Sequence, residues 1–234
     1  MAKLNTNGNA YTIIYATVIV IIVAFLLAFV ASALKPTQDA NVAIDKKQQI
    51  LASLNIRNVE KSDTEDKYAE VIKQALVYEA ENPTVIEGVD GFDVPTKEFK
   101  EKRPFYVAEV EGQTKYIVPM TGAGLWGGIW GYVALDDDCE TVFGTYFSHE
   151  SETAGLGARI VEEWFQTSFN GKKVYAGDNT QVALSVVKKG KEGTLSPDNY
   201  VNGVTGATLT SNGVNEMIQK CLTNYQNILD TYKK

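Results

Sequence analysis

Residues 11–34 carry no charged side chain and consist mainly of Ile, Val, Ala, Leu and Phe. As an α-helix rising 1.5 Å per residue, the stretch would extend about 36 Å, enough to cross a hydrocarbon core of ~30 Å with some tilt. It reads as one transmembrane helix, with residues 1–10 as a short tail before it. Tyr11 and Tyr15 suit an interfacial belt at one end, and Lys35-Pro36 ends the apolar run at the other. Ala31-Ser32-Ala33 has the small-residue form of a signal-peptidase site. Against cleavage, the run is longer than the ~7–15 residues of a signal core and only Lys3 precedes it. Lys3 on one side and Lys35, Lys46 and Lys47 on the other give the positive-inside rule no clear direction.

Beyond the apolar run, residues 35–104 read as a helical spacer and connection. A helix is expected over 39–54, with Ile44, Leu51 and Leu54 as its sparse apolar face. Ser62-Asp63-Thr64-Glu65 has the form of a capping box, and Tyr68, Val71, Ile72, Ala75 and Leu76 extend a second helix until Asn82-Pro83 ends it. Residues 83–104 read as irregular. From 105 the pattern turns to strands. Runs at 105–110 and 114–118 flank the turn Glu111-Gly112-Gln113, and runs at 131–135 and 140–147 flank Asp136-Asp137-Asp138. Between these hairpins, residues 121–131 hold five glycines and both Trp126 and Trp130, a composition suited to a tight backbone path beside something flat. A loop at 149–157 follows, where Gly155 and Gly157 supply positive φ or close approach, then a helix carrying Val161, Trp164 and Phe165. Asn170-Gly171 marks a turn, 181–188 a strand, and Lys188-Lys189-Gly190-Lys191 a basic turn. The whole is an α+β arrangement, a single N-terminal transmembrane helix followed by a domain over 105–234 with a twisted antiparallel sheet and packed helices.

Several chemistries are disfavoured by composition. The formal charge is −7, with no basic stripe, so nucleic acid is not an expected partner. One histidine and two cysteines are too few for a zinc or iron–sulfur centre within this chain. His149, with Glu150 and Glu152 close after it, lacks a second strong nitrogen or sulfur ligand. No Ser–His–acid set is readable, and neither the P-loop nor the dinucleotide glycine pattern is present. No metal ligands or catalytic residues are therefore assigned. A disulfide between Cys139 and Cys221 stays open, although Cys221 falls on an apolar helix face.

The segment 201–211, Val-Asn-Gly-Val-Thr-Gly-Ala-Thr-Leu-Thr-Ser, gathers four hydroxyl side chains before a helical run of Val214, Met217, Ile218, Cys221, Leu222, Tyr225, Ile228 and Leu229. Thr210 or Ser211 suits the N-cap, and Thr208 falls just upstream, where unpaired N–H groups and the helix dipole favour a phosphate. Residues alone support an anchored domain that holds a planar or phosphorylated ligand.

The same segment resembles the flavinylation motif of the FMN-binding domain family, in which [S/T]-G-A-T carries FMN on its last threonine. Gly124-Leu125-Trp126, Gly131, the run Glu152-Thr153-x-Gly155-Leu156-Gly157 and Phe169-x-Gly171-Lys172 are similar to companion motifs of the branch found in sodium-translocating NADH:quinone reductases. The similarity covers essentially the whole chain. It implies a phosphoester between FMN and Thr208 Oγ, with Thr205, Gly206 and Ala207 shaping the turn and Leu209 following the attachment point. It further implies that Leu125, Trp126, Thr153 and Leu156 border the flavin ring, that Glu152 belongs to the cofactor-binding set, and that Lys189 compensates flavin charge. The implied role is a one-electron relay in a sodium-pumping NADH:ubiquinone reductase, with no substrate site of its own. The implied partners are the other subunits, a flavin transferase and the lipid bilayer. The implied location is the bacterial inner membrane, single-pass, with most of the chain in the periplasm. The family pattern has Asp three residues before [S/T]-G-A-T, whereas this chain has Asn202. Two other readings follow: the covalent-FMN subunit of an Rnf-type complex, or an anchored scaffold that has lost its flavin.

Overall fold

A computed structural model describes residues 8–81, 83–177 and 181–233. Residues 1–7 of the expected tail and Asn82 of the expected helix end lie outside these. The chain divides into two compact units, Met1–Asp45 and Lys46–Lys234. From Asn9 on, the described residues of the first unit are helical: α1, Asn9–Ser53, whose last residues belong to the second unit, contains the apolar run and is long and apolar enough to cross a membrane. Hydropathy falls at Lys35-Pro36, but the helix does not stop there and passes through Pro36. Apolarity and helicity part company at this point: the Asp, Lys and Gln residues after Pro36 are poorly suited to lipid, while Ala, Lys and Gln among the same residues favour helix. The expected separate helix over 39–54 is thus the end of α1.

In the second unit, α2 is Thr64–Val71 and is followed at once by strand β1, Ile72–Glu79. The sequence expectation of a helix from Tyr68 past Leu76 fails here. Apolar residues at 71, 72, 75 and 76 match helical spacing, but β1 pairs antiparallel with β2, Lys102–Val110, and that pairing overrides the local pattern. The expected capping box is not made either. Ser62 Oγ donates to Asp63 Oδ1 and Thr64 Oγ1 donates to the Glu60 carbonyl, and Asp63 at the N-cap makes no side-chain bond to the helix's first N–H groups. Residues 46–104 therefore belong to the folded unit instead of serving only as a spacer.

The sheet is an antiparallel meander, β1-β2-β3-β4-β5, with β3 Gln113–Ala123, β4 Gly128–Leu135 and β5 Val142–His149. Alternation sorts its side chains to two faces. Phe105, Tyr116, Val118, Met120, Ile129, Val133 and Leu135 pack into the larger core, whereas Tyr106, Ile117, Tyr132 and Ala134 face a second core with Ile50, Leu51 and Leu54. Val142 and Phe147 share the larger core despite their opposite parity, because the register shifts between Ala134 and Leu135. With both faces covered, these strands read as nearly continuous apolar runs. Over the larger core lie a 3-10 turn Gly157–Val161, α3 Glu163–Thr167, the parallel pair β6 Ser185–Val187 and β7 Tyr200–Asn202, and α4 Thr208–Tyr232. The single helix expected around Val161–Phe165 is thus broken in two, and the strand expected over 181–188 shortens to β6.

Both cysteines are free, so the disulfide left open by the sequence does not form. Cys139 is buried in the acidic turn, and burial pushes its thiol up to about 12. Cys221 faces the Thr121 carbonyl from α4, and burial raises its thiol too. Since the thiolate is the reactive form, neither cysteine should react with a disulfide reagent at mildly alkaline pH until the protein is denatured. Rapid labelling of the native protein would contradict this packing.

Candidate functional site

The site is built where three segments meet: the β3–β4 loop at 124–127, the loop at 150–157, and the first turn of α4. Strand β7 leads into a turn over Val204–Ala207, in which the Ala207 N–H donates to the Val204 carbonyl at 3.0 Å. Gly206 sits at its third position with φ +83°, the type II geometry that side chains disfavour. The sequence order Thr-Gly is what this corner requires, and it delivers the chain directly into α4.

Helix α4 begins at Thr208, one turn earlier than its apolar periodicity suggested. Ala207 holds the N-cap position, makes no side-chain cap bond, and no acidic residue occupies the first turn. Neither expected cap acts as one. Thr210 is 1% exposed and its Oγ1 donates to Glu152 Oε2 at 2.5 Å. Ser211 is buried, and its Oγ accepts the Val204 N–H at 3.0 Å. Thr205 and Thr208 are exposed. The four hydroxyls thus divide into two held by the fold and two turned outward, a distinction that no local spacing reveals.

Two clefts flank Thr208. One, of about 190 Å³, is lined by Leu125, Glu152, Thr153, Leu156, Gly157, Gly206, Ala207, Thr208, Leu209 and Thr210. Eight of the eleven candidates named from the sequence meet there. The other, of about 250 Å³, lies among Lys188, Lys189, Gly203, Val204, Thr205, Gly206, Thr208, Ser211 and Asn212. Lys189 and Thr205 belong to this second wall, not to the cleft of Leu125 and Leu156. Trp126 lines neither cleft and is 68% exposed beside Leu125. Trp130 is not part of the site at all, since its Nε1 donates to Gln49 Oε1 at 3.0 Å. Strand alternation puts it on the face opposite the larger core. Lys188 and Asn212 were not among the sequence candidates. The basic turn signalled the first, and the second had no local signal.

Glu152 joins the segments. Its Oε1 accepts the Trp126 N–H at 2.8 Å while Oε2 accepts from Thr210. Burial would raise its pKa, but the Thr210 hydroxyl and the backbone N–H groups of Trp126, Leu125 and Gly127 outweigh burial and hold the carboxyl below its usual range. Gly155 has φ +75°, and a Cβ on Gly157 would overlap Thr210 Oγ1. His149 acts as a loop pin, its Nδ1 accepting the Glu152 N–H at 3.2 Å. Farther off, Phe169 is in the core, and Lys172 donates to the Pro197 carbonyl at 2.7 Å, tying the 169–172 turn to the chain before β7.

Leu125, Leu156 and Leu209 leave an apolar rim around an outward hydroxyl at an uncapped helix N-terminus. The donor set suits a ligand with a flat apolar part and an anionic tail, as FMN has. Comparison with known proteins agrees. Residues 124–223 match the model of the FMN-binding domain family. The chain is 33% identical over 236 residues to the NqrC subunit of the Na(+)-translocating NADH-quinone reductase of Haemophilus ducreyi, covering 92% of this chain and 90% of that one. The crystal structure of the corresponding subunit from Parabacteroides distasonis superposes with a TM-score of 0.78 at 41% identity, over 84% of this chain and 96% of that one. That of NqrC from Shewanella oneidensis shares the fold, with a TM-score of 0.68 at 23% identity, over 82% of this chain and 99% of that one. Sequence, fold and relatives converge, and the chain belongs to the NqrC family of Na(+)-translocating NADH-quinone reductase subunits, with an FMN-binding domain over residues 124–223.

Proposed function

We propose that this chain carries FMN covalently, through a phosphoester to Thr208 Oγ, and relays single electrons between redox centres of a sodium-pumping NADH:quinone oxidoreductase. The observation that carries the reading is the placement of Thr208. It is an exposed hydroxyl on the first residue of a 25-residue helix that lacks a side-chain cap and any acidic residue in its first turn. A phosphodiester there would meet unpaired N–H groups and the positive end of the helix dipole. Leu125, Thr153, Leu156 and Leu209 would border the ring, Thr205 and Gly206 hold the turn, and Lys188 and Lys189 line the second cleft beside Thr208.

When bound, FMN supplies the electron chemistry, and the protein's part is to orient it and shape its surroundings. A covalent tail keeps the ring at high effective concentration beside Leu125 and Leu156 without strong non-covalent contacts to it. The partners are the other subunits of the complex, and a flavin transferase during maturation. Helix α1 anchors the chain in the bacterial inner membrane, with the second unit in the periplasm. Its apolar run has no ionisable residue to serve as an ion path, so sodium passes through other subunits.

Mass spectrometry of the tryptic peptide Glu192–Lys220 tests attachment directly. In protein from its native host the peptide should carry one FMN, localised by fragmentation to Thr208. An unmodified peptide from an assembled complex would reject this reading in favour of a flavin-free scaffold, the outcome that Asn202 makes worth testing.

A further inference from the structure

Glu152 is the only carboxylate among the buried polar side chains of the described residues, and both of its oxygens are engaged inside the protein. The amides of Leu125 and Gly127 reinforce the bond from Trp126, so one carboxylate gathers the tip of the β3–β4 loop. Its other oxygen reaches the third residue of α4 through Thr210. Two glycines make room for it, because a Cβ on Gly124 or on Gly157 would overlap the carboxylate. The three segments so joined supply Leu125, Leu156 and Thr208, the walls of one cleft and the exposed hydroxyl beside them. With its acceptors turned to backbone and Thr210, Glu152 does not offer itself to a ligand.

We propose that Glu152 is a positioning residue for the flavin tether: its carboxylate clasps the 125–127 loop to Thr210 and thereby fixes Thr208 relative to the wall formed by Leu125 and Leu156. The inference rests on the covalent-flavin reading for its functional meaning, while the clasp itself is a property of the protein alone. The same bond accounts for why Thr210, only two residues on, is a poor acceptor: its hydroxyl is buried and its proton is committed. Charge-assisted hydrogen bonds are roughly twice as strong as neutral ones. An amide at position 152 keeps the shape but removes the charge, leaving a neutral carbonyl oxygen for the 125–127 amides and an NH2 group that only Thr210 Oγ1 could accept.

The test uses the full-length protein in detergent with Glu152→Gln and Glu152→Asp, each also combined with Thr208→Ala. Hydrogen exchange should accelerate by about tenfold or more across 125–127 in Glu152→Gln, corresponding to loss of about one charge-assisted bond. This should happen in both backgrounds, while exchange at Val118 and Val133 in the strands stays unchanged. In protein matured with a flavin transferase, the visible circular dichroism of the ring should shrink in Glu152→Gln and recover in part in Glu152→Asp. Unchanged exchange at 125–127 would overturn the proposal, as would equal acceleration in the strands, which marks a general loss of stability. An unaltered flavin signal beside a loosened loop would also overturn the positioning role. If the wild type carries no flavin, the functional reading fails, and exchange in the Thr208→Ala protein still decides whether the clasp exists.

Discussion

Replacing Thr208 with alanine is expected to abolish covalent flavin while leaving the fold intact. The side chain is exposed at the first position of α4, and alanine is the best helix former, so stability should change by no more than about 0.5 kcal/mol. The chemical effect is all-or-none, because a phosphoester needs the oxygen that alanine lacks. Thr208→Ser should retain the flavin, and so should Thr205→Ala. Thr210→Ala should keep the modification but lose a hydrogen bond to a buried carboxylate, about 1.5–3 kcal/mol. These variants separate attachment from support. Flavin fluorescence on a denaturing gel, made after coexpression with a flavin transferase, reads attachment. A fluorescent band from Thr208→Ala would mean that another side chain bears the cofactor.

The largest loss of stability is expected from Phe147→Ala. Phe147 is fully buried on β5, with its ring centroid 5.2 Å from that of Phe169 and 6.0 Å from that of Phe165. Gly131 on the paired strand leaves space for the ring, since a Cβ there would come within 2.7 Å of Phe147 Cδ1. Emptying such a site costs about 3–5 kcal/mol, a large share of the ~5–15 kcal/mol that stabilises a typical domain. The damage would spread toward the site, because Gln166 Nε2 donates to the Phe147 carbonyl at 3.0 Å and α3 follows directly on the 3-10 turn that ends the 150–157 loop. Leu125→Ala provides the contrast. Leu125 is 47% exposed, so its truncation should barely shift the urea midpoint while disturbing the flavin's surroundings. Unfolding in urea, followed by far-ultraviolet circular dichroism in detergent, compares the two. A loss below about 1 kcal/mol for Phe147→Ala would be inconsistent with a tightly filled cavity at that ring.

Much of the architecture was legible because it rests on local periodicity. The apolar run, the strands at 105–147 and the final amphipathic helix each repeat at a period set by backbone geometry. The failures came where a distant partner outweighed a local pattern. Residues 72–79 carry helix-like spacing, yet an antiparallel partner about thirty residues downstream makes them a strand. Pro36 marks the end of hydropathy without ending the helix. Trp126 and Trp130 share one glycine-rich stretch, but only Trp126 remains near the site, because a strand sends Trp130 to the other side of the sheet.

Sequence by itself determined the membrane-length helix, the α+β character and the motif centred on Thr208, since all three depend on the order of residue types along the chain. Tertiary structure alone decided which hydroxyls are left free. Thr210 and Ser211 are spent on Glu152 and on the Val204 amide, groups that reach them only when the loops and α4 pack together. A hydroxyl's availability is set by its burial and its hydrogen-bond partners, and for Thr210 the partner lies 58 residues away in the chain. Thr205 and Thr208 are both left exposed, and of the two only Thr208 is the first residue of α4.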